Sequence, residues 1–247
     1  MMDIQEFASR LSSCKKVVFF TGAGISTDSG VPDFRSPGGI WTKYQPVYFD
    51  EFCSSEPARR RYWKMKKELY TLYKDVLPNT GHFAIVEYEK QNQLLGVITQ
   101  NIDGLHRIAG LAENKIIELH GTDRKIACLK CQKEFQPEAI YADMDKDDVS
   151  PSCNVCGGLL KPATISFGQM MPMDKMELAR EWCESADLLV VLGSSLQVEP
   201  AASFPRIAHE SSVLLGIVNR DPTPLDTLAD FVYHDSIGKF FKEVERG

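Results

Sequence analysis

Two pairs of cysteines have the spacing of a metal site. Cys128 and Cys131 form one Cys-x-x-Cys pair, Cys153 and Cys156 form a second, and residues 132–152 separate them. Each pair can direct both of its sulfurs toward one centre, so the two pairs can occupy the corners of a tetrahedron. Four thiolates complete the coordination sphere of Zn²⁺ and leave no position for water or substrate. The spacing therefore predicts a structural zinc site, with redox pairs or a chance spacing as the alternatives.

A glycine turn follows the first β-favouring run of the chain, Val-Val-Phe-Phe at 17–20. Gly22-x-Gly24 at a strand exit permits close approach of the backbone to a phosphate and leads into the N-terminus of a following helix. The dinucleotide-binding fingerprint is incomplete, because Thr27 stands where a third glycine belongs and the next acidic residue, Asp28, comes too early. These residues alone leave nucleotide binding and a plain tight turn as equal alternatives.

Histidine is the side chain best suited to move protons near neutral pH, and the chain has five. His120 could accept a proton from a sugar hydroxyl in a closed site, although a single histidine is more often structural. We expect His106 to brace its loop, and His82, His209 and His234 to lie at the surface or at helix ends. Position alone leaves both interpretations of His120 open.

The elements that must position these residues alternate along the chain. Apolar runs typical of buried strands occur at 17–20, 97–99, 188–192 and 213–218. Amphipathic helical patterns lie before and between them, at 4–11 and 176–183, and a last one follows at 237–244. This alternation predicts an α/β fold with a parallel sheet covered on both faces by helices. Ligands of such sheets bind beyond the carboxyl ends of the strands, where small and polar residues collect here.

The composition limits the class of protein. With 43% hydrophobic residues the chain can bury a sizeable core, and no apolar segment approaches the roughly 20 residues that span a bilayer. The net charge of -6 argues against broad attraction to nucleic acid or membrane, and we expect the basic residues within 59–67 to form a solvated helix face. Seven cysteines suit a reducing compartment. We therefore expect a soluble, cytoplasmic monomer that does not bind membranes or nucleic acid.

Several longer motifs occur in a fixed order. They are Gly-Ala-Gly-Ile-Ser-Thr-x-Ser-Gly-Val-Pro-Asp-Phe-Arg at 22–35, Thr-Gln-Asn-Ile-Asp-Gly-Leu-His at 99–106, Glu-Leu-His-Gly at 118–121 and Gly-Ser-Ser-Leu at 193–196. This order, with the cysteine pairs between the third and fourth motifs, resembles the sirtuin family of NAD-dependent protein-lysine deacylases. The resemblance extends over residues 17–219.

The resemblance implies a Rossmann-like NAD-binding domain beside a smaller inserted lobe of zinc ribbon and helical module. The large domain would comprise residues 1–35, 81–123 and 161–247. Residues 36–80 would form the cofactor loop and helical module, and residues 124–160 the zinc ribbon. Acyl-lysine would enter between the lobes.

The resemblance also implies a role for individual residues. His120 would be the general base, with Asn101 as the second catalytic residue. NAD would be a co-substrate, consumed to give nicotinamide, deacetylated lysine and O-acetyl-ADP-ribose. Its contacts would be Ala23, Gly24, Thr27, Phe34, Arg35, Gln100, Ile102, Asp103, Ser194, Ser195, Asn219 and Ile237.

Within that set, Ile102 and Asp103 would hold the nicotinamide carboxamide, and the last four residues would contact the adenosine half. Ile165, Phe167 and Val198 would bind the substrate, an acetyl-lysine protein. We expect its extended peptide to add as a strand between the segments 167–170 and 196–199.

Two departures from the family pattern bear on specificity. Family members that prefer succinyl or malonyl groups carry a Tyr-x-x-Arg pair, whereas Tyr62 here is followed by Met65. An acidic acyl chain then lacks its arginine, so a neutral acyl group such as acetyl is predicted, unless Lys64 or Lys66 substitutes. Gln169 stands where the family commonly has glutamate, which bears on peptide preference.

Three functions remain to be distinguished. The leading prediction is an NAD-dependent protein-lysine deacetylase. A mono-ADP-ribosyltransferase would use the same site, because both reactions begin by displacing nicotinamide. A zinc-ribbon binding module without catalysis ranks last, since His120, Asn101 and Asp103 are all present.

Overall fold

The computed structural model describes residues 2–34, 36–144 and 150–245. Its strands are, in chain order, β1 (Val17–Thr21), β2 (Leu94–Thr99), β3 (Ile116–Glu118), β4 (Gly121–Cys128), β5 (Glu134–Phe135), β6 (Leu160–Thr164), β7 (Leu188–Leu192), β8 (Leu214–Val218) and β9 (Phe231–Tyr233). Within the described residues, six strands form a parallel sheet in the order β3-β2-β1-β7-β8-β9. A small antiparallel sheet, β5-β4-β6, lies in a separate lobe.

Helices cover both faces of the large sheet. The helices are α1 (Ile4–Ser13), α2 (Phe49–Ser54), α3 (Glu56–Tyr73), α4 (Thr80–Lys90), α5 (Leu105–Ile108), α6 (Pro137–Asp143), α7 (Met173–Ser185), α8 (Ser203–Glu210) and α9 (Ile237–Val244). Side chains of β1 alternate between two cores: Phe19 packs in the core that holds α1, α4 and α9, and Phe20 in the core that holds α7 and α8. The predicted parallel α/β sheet with two covered faces is confirmed.

Individual strands differ from the sequence prediction in their bounds or were not predicted. β2 begins at Leu94, earlier than predicted, because Gly96 interrupts its apolar run. A Cβ on Gly96 would lie 2.1 Å from Cζ3 of Trp182, so the indole of α7 occupies the space that a side chain would need. The short edge strands β3 and β9 were not predicted, since three residues carry too little periodicity to be recognised.

The strand order reverses between β1 and β7, and the loops after these two strands meet there. A Cβ on Gly22 would lie 2.6 Å from the carbonyl oxygen of Gly193, and one on Gly24 would lie 2.7 Å from the Gly193 Cα atom. These glycines therefore let the two loops pack backbone against backbone. The expected helix N-terminus after the turn is wrong, because two 3₁₀ turns, Ala23–Ile25 and Thr27–Ser29, follow instead.

The small lobe has its own apolar core, formed by α2, α3, α6 and the small sheet. The side chain of Ser55 caps α3 by accepting a hydrogen bond from the Ala58 N–H. The predicted solvated basic face of α3 is wrong at Lys66, which is buried and pairs with buried Asp123 at 2.9 Å. A lysine is buried here because its carboxylate partner is buried with it.

Among the described residues, none of the helices combines the length and apolar character needed to cross a bilayer.

Candidate active site

A cleft of about 700 Å³ lies between the carboxyl edge of the large sheet, at the reversal of strand order, and the small lobe. Its size suits a ligand of the dimensions of a cofactor. Of the residues selected from the sequence, those that line it are Ala23, Gly24, Phe34, Gln100, Asn101, Ile102, His120, Ile165, Phe167, Ser194, Ser195, Val198 and Asn219. The topology therefore brings together residues from six separate stretches of chain.

Other selected residues lie behind the cleft wall. Asp103, in the loop that follows β2, has a buried side chain. Thr27 donates a hydrogen bond from its hydroxyl to the Gly24 carbonyl at 2.9 Å. Ile237 opens α9 and packs in the core against Gly81 of α4. Arg35 lies outside the described residues.

His120 is oriented by the loop that follows β2. Its Nδ1 atom lies 3.0 Å from the backbone carbonyl oxygen of Gln100. A carbonyl can only accept a hydrogen bond, so Nδ1 carries the proton of the neutral ring and the basic lone pair lies on Nε2. The ring is half-buried in the wall of the cleft. This tautomer is the one that a general base acting through Nε2 requires.

Asn101 is fixed by both chain segments that end at the cleft. Its Nδ2 group donates to the Gly22 carbonyl at 3.0 Å and to the Ser26 hydroxyl at 3.2 Å. Its backbone N–H donates to the hydroxyl of Thr99 at 3.0 Å. The side chain is buried, so these bonds set the orientation of the carboxamide with little freedom for a second rotamer.

Asp103, in the same loop, binds the turn that follows β1 through its side chain. Its carboxylate accepts hydrogen bonds from the Ser26 hydroxyl at 2.7 Å and from the Leu105 N–H at 2.9 Å. Burial raises the pKa of this carboxyl, and the two hydrogen bonds work in the opposite direction. Asp103 thus joins the loop after β2 to the turn after β1.

The remaining polar groups of the sheet edge lie further along the cleft. Gln100 donates from Nε2 to the Ser194 hydroxyl at 2.8 Å, which connects the loops that follow β2 and β7. The Asn219 side chain donates to the Asp221 carbonyl at 2.7 Å. Hydroxyl and amide groups in this arrangement can bind ribose hydroxyls.

One face of α3 forms a wall of the cleft that the sequence analysis described only in part. Tyr62, Met65, Lys66 and Leu69 all line the cleft. Their spacing of i, i+3, i+4 and i+7 marks a single helix face, so this wall could have been found from the sequence. Tyr62, Met65 and Lys66 were considered only for acyl specificity and Leu69 was not selected, because the charges on either side concealed the stripe.

Two buried lysines flank Tyr62. Lys66 and Lys161 place their Nζ atoms 5.7 Å and 5.6 Å from the centre of the Tyr62 ring. Burial alone would raise the pKa of Tyr62, but the two positive charges outweigh it and leave that pKa lowered. Lys161 donates to the carbonyl oxygens of Thr164 and Pro162, and burial lowers its pKa.

The segment predicted to receive the substrate peptide has a turn in this structure. The Gln169 N–H donates to the Ser166 carbonyl at 2.9 Å, and the Gln169 side chain accepts from the Ser166 N–H at 3.1 Å. Gly168 between them has a φ of 78°, in the left-handed region that favours glycine. Gln169 therefore stabilises its own turn, and strand addition by a peptide stays a prediction.

The four paired cysteines form one cluster. Their sulfurs all lie within 4.8 Å of one another, with Cys128 and Cys156 3.5 Å apart and Cys131 and Cys153 3.8 Å apart. A tetrahedron with Zn–S bonds of about 2.3 Å has edges of about 3.8 Å, so the cluster fits a zinc ion. A Cβ on Gly158 would lie 2.9 Å from the Cys128 sulfur, so glycine leaves the room that the sulfur needs.

His82 and His106 form a buried pair behind the cleft, with ring centroids 5.0 Å apart. His106 bonds to the hydroxyl of Thr21 at 2.9 Å and braces its loop, as predicted. His82 lies in the first turn of α4, the helix-end position that was one of the two expected, and its Nδ1 accepts from the Asn79 N–H at 3.3 Å. The alternative of a surface position is wrong, because the side chain is buried. Its capping role buries it, which the sequence alone did not reveal.

The histidine pair predicts a loss of stability in acid. Burial lowers the pKa of His82 from 6.5 to about 4, so the unfolded state binds the proton more readily than the folded state. Stability is therefore complete above pH 6.5 and falls as the pH drops toward 4, by about 2 kcal/mol at pH 5 from this group alone.

Guanidinium unfolding at pH 7.5 and pH 5.0 measures this loss, and His82→Gln removes the titrating group. We expect the variant to lose less stability between the two pH values than the parent protein loses. Equal losses in both proteins would contradict the assignment.

Together, the fold and the site define a Rossmann-like α/β protein with a cleft at the reversal of strand order and a four-cysteine lobe beside it. The family model for the Sir2 family matches residues 22–200. The chain belongs to the Sir2 family. Its similarity to known members extends over nearly its whole length.

Three similar proteins describe this relationship. An "NAD-dependent protein deacetylase" of Thermodesulfovibrio yellowstonii is 44% identical over 227 residues, which cover 92% of this chain and 88% of the relative. A structure of Sir2 with a deacetylated peptide and 3′-O-acetyl-ADP-ribose superposes with a TM-score of 0.91 at 37% identity, over 100% of this chain and 99% of the other. A structure of Sir2 with a peptide and NAD⁺ gives 0.89 at 35% identity, over 99% and 98%.

Proposed function

We propose that the protein is an NAD-dependent protein-lysine deacetylase, which transfers acetyl from lysine to ADP-ribose and releases nicotinamide. Two kinds of comparison support this: the name of the Thermodesulfovibrio relative, and the Sir2 structures that hold a peptide with NAD⁺ or with acetyl-ADP-ribose. The observation that carries the proposal is the orientation of His120. Its Nδ1 proton is committed to the Gln100 carbonyl, and the ring lies in the cleft at the strand-order reversal.

The residues of this chain bind, orient and move protons in the proposed reaction. NAD, when bound, supplies the electrophilic carbon of its nicotinamide ribose. His120 accepts the proton of a ribose hydroxyl at Nε2, and the Gln100 carbonyl stabilises the protonated ring through Nδ1–H. Asn101, held by the Gly22 carbonyl and Ser26, orients the ribose beside it.

The proposed cofactor site follows the cleft. The glycine turn at 22–24 faces the pyrophosphate, Ile102 and Asp103 hold the nicotinamide carboxamide, and the adenosine half lies against residues of the β7 and β8 loops. Phe34, whose ring centroid lies 5.4 Å from that of Trp41, is proposed to cover the cofactor. Arg35, which lies outside the described residues, is proposed as a further contact on the basis of the family motif alone. The other residues proposed to contact the cofactor are Thr27, Gln100, Ser194, Ser195, Asn219 and Ile237.

The acetyl-lysine peptide is proposed to enter from the opposite side of the cleft. Ile165, Phe167 and Val198 are apolar residues that line the cleft and are proposed to bind the substrate. Apolar walls exclude water from the reacting groups and accommodate the methylene stem of lysine. We propose strand-like binding of the peptide between 167–170 and 196–199.

The division of the chain is part of the proposal. The Rossmann-like domain comprises 1–35, 81–123 and 161–247, and the inserted lobe comprises 36–80 and the zinc ribbon at 124–160. Among the described residues, β4 pairs with β5 and β6 and not with the large sheet, which supports a separate ribbon. The small sheet extends beyond the proposed bounds of the ribbon, to Gly121 and Thr164. A structural zinc bound by the four cysteines would stabilise it.

Two further features are proposed from the sequence and fold. All seven cysteines are free, in agreement with a reducing, cytoplasmic compartment. An active monomer is the proposed oligomeric state. Size-exclusion chromatography with light scattering tests the oligomeric state.

The acyl group is expected to be neutral. The Lys66 ammonium lies 2.9 Å from both carboxylate oxygens of Asp123, so its charge is already compensated. Lys161 donates hydrogen bonds to the backbone carbonyl oxygens of Pro162 and Thr164. We therefore expect kcat/KM for an acetyl-lysine peptide to exceed that for the matched succinyl-lysine peptide by at least about tenfold. A faster rate with the succinyl peptide would contradict this.

Mass spectrometry of an acetyl-lysine peptide incubated with the purified protein tests the proposed function. Loss of acetyl that requires NAD supports it. ADP-ribose attached to protein or peptide, without loss of acetyl, would show that the site is a mono-ADP-ribosyltransferase.

A further inference from the structure

Arg124 of β4 reaches two segments of chain that lie on opposite sides of it. Its Nε atom donates to the Asp103 carbonyl at 2.6 Å. Its terminal nitrogens donate to the carbonyl oxygens of Lys74 at 3.0 Å and of Tyr73 at 3.5 Å, at the end of α3. A guanidinium can make several such bonds at once, because its donors lie in a rigid plane.

The preceding residue makes parallel contacts. The Asp123 N–H donates to the Ile102 carbonyl at 2.9 Å. Its carboxylate, buried in the small lobe, accepts hydrogen bonds from Lys66 at 2.9 Å and from the hydroxyl of Tyr73. Asp123 and Arg124, which we call the interlobe staple, therefore join the loop after β2 to α3 through consecutive residues of one strand.

The staple bonds to the main chain of a loop whose side chains reach the cleft. Ile102 lines the cleft, while its carbonyl is held by Asp123. Gly104, with a φ of 72°, lies directly beneath Arg124, and a Cβ there would be 2.9 Å from the Arg124 Cγ atom. The main-chain position of Ile102, which lines the cleft, and of the buried Asp103 beside it is therefore set from the side of the small lobe.

Arg124 is not among the residues that line the cleft, so it acts on a ligand only through the loop. It lies on the strand that begins one residue after His120 and ends at the metal-cluster residue Cys128. A loss of order around the four cysteines would therefore be transmitted along β4 to the loop that follows β2.

We infer that Arg124 is a positioning residue for nicotinamide: it holds the main chain of Ile102 and Asp103 where their side chains contact the carboxamide. The inference rests on the proposed function, which places nicotinamide at these two residues. Loss of the guanidinium releases the Asp103 carbonyl from α3 and lets the loop move, whereas the contacts of Ser194 and Asn219 with adenosine are untouched.

Two ligands that differ in nicotinamide test this without turnover. ADP-ribose lacks nicotinamide, and a carbocyclic NAD analogue keeps it but cannot release it. Calorimetry with both ligands would be run on the full-length, zinc-loaded parent protein and on Arg124→Met. We expect the variant to bind the NAD analogue about tenfold more weakly and ADP-ribose unchanged.

Two further variants complete the design. Arg124→Lys keeps the positive charge but loses the planar guanidinium. Its affinity for the NAD analogue should therefore lie between the affinities of the parent protein and of Arg124→Met. Lys125→Ala is the matched control, because Lys125 is the neighbouring residue of β4, is exposed and forms an ion pair with exposed Glu134 at 2.9 Å. Nicotinamide, added as an inhibitor of turnover, should lose potency in Arg124→Met while KM for the peptide stays constant.

The outcomes separate the inference from the proposed function. Equal weakening of both ligands, or no weakening of either, in a folded Arg124→Met protein would overturn the positioning role. Failure of the parent protein to bind either ligand would overturn the proposed function itself.

Discussion

Replacing His120 with alanine is expected to lower the rate of deacetylation by about 10²- to 10⁴-fold, the range in which a general base contributes. The structure commits Nδ1 to the Gln100 carbonyl, so Nε2 is the basic atom, and alanine removes it. The fold should remain intact, because the ring is only half-buried and lies at the cleft wall.

His209→Ala is the matched control, since His209 is exposed near the end of α8, away from the cleft residues. Initial rates with saturating peptide and NAD, together with melting temperatures, distinguish a chemical from a structural effect. Binding of the carbocyclic NAD analogue should survive in His120→Ala. An alanine variant that keeps its rate within a few-fold of the parent would remove His120 from the proposed mechanism. Absence of turnover in the parent protein itself would favour a binding module without catalysis.

Replacing Cys128 with alanine is expected to cost the protein its metal and the order of its small lobe, and with them nearly all activity. Cys128 is fully buried in the lobe core, and metal binding at such a cluster is coupled to folding. The loss should reach the active site, because β4 joins the cluster to the interlobe staple and to His120. The effect is thus indirect, since four thiolates leave no coordination position for substrate.

Zinc content by plasma emission spectroscopy and hydrogen exchange by mass spectrometry measure these two losses. Exchange should rise in β4, β5 and β6, while β1 and β7 stay protected. Cys53→Ala is the control, because Cys53 is an exposed thiol outside the cluster. A Cys128→Ala protein that retains its fold and its rate would show that the cluster has no structural role.

Much of the large sheet follows from local sequence, for a simple physical reason. Its central strands are buried on both faces, so they read as continuous apolar runs, and the run at 188–192 coincides with β7. The edge strands are short and flanked by polar loops, which leaves no such run. Local sequence also does not explain why residue 96 is a glycine. The ring of Trp182, a residue distant in sequence, fills the space that a side chain at this position would need.

Part of the candidate site could likewise be predicted from the sequence, and part could not. The residues at strand ends could be selected because motifs mark them and because parallel strands gather their carboxyl ends at one edge. The small-lobe contribution could not, since Lys66 and Asp123 are 57 positions apart and each alone appears as an ordinary surface charge. Arg124 was likewise not selected from the sequence, because its function depends on three carbonyl groups that the fold brings within reach.

The product balance of the reaction tests the central claim most directly. Purified protein, acetyl-lysine peptide and NAD would be followed by quantitative mass spectrometry, with His120→Ala in parallel. The account predicts one nicotinamide, one deacetylated peptide and one O-acetyl-ADP-ribose for each NAD consumed, and none of them at a comparable rate in the variant. Free acetate formed without consumption of NAD, or ADP-ribose attached to protein with the acetyl group retained, would contradict it.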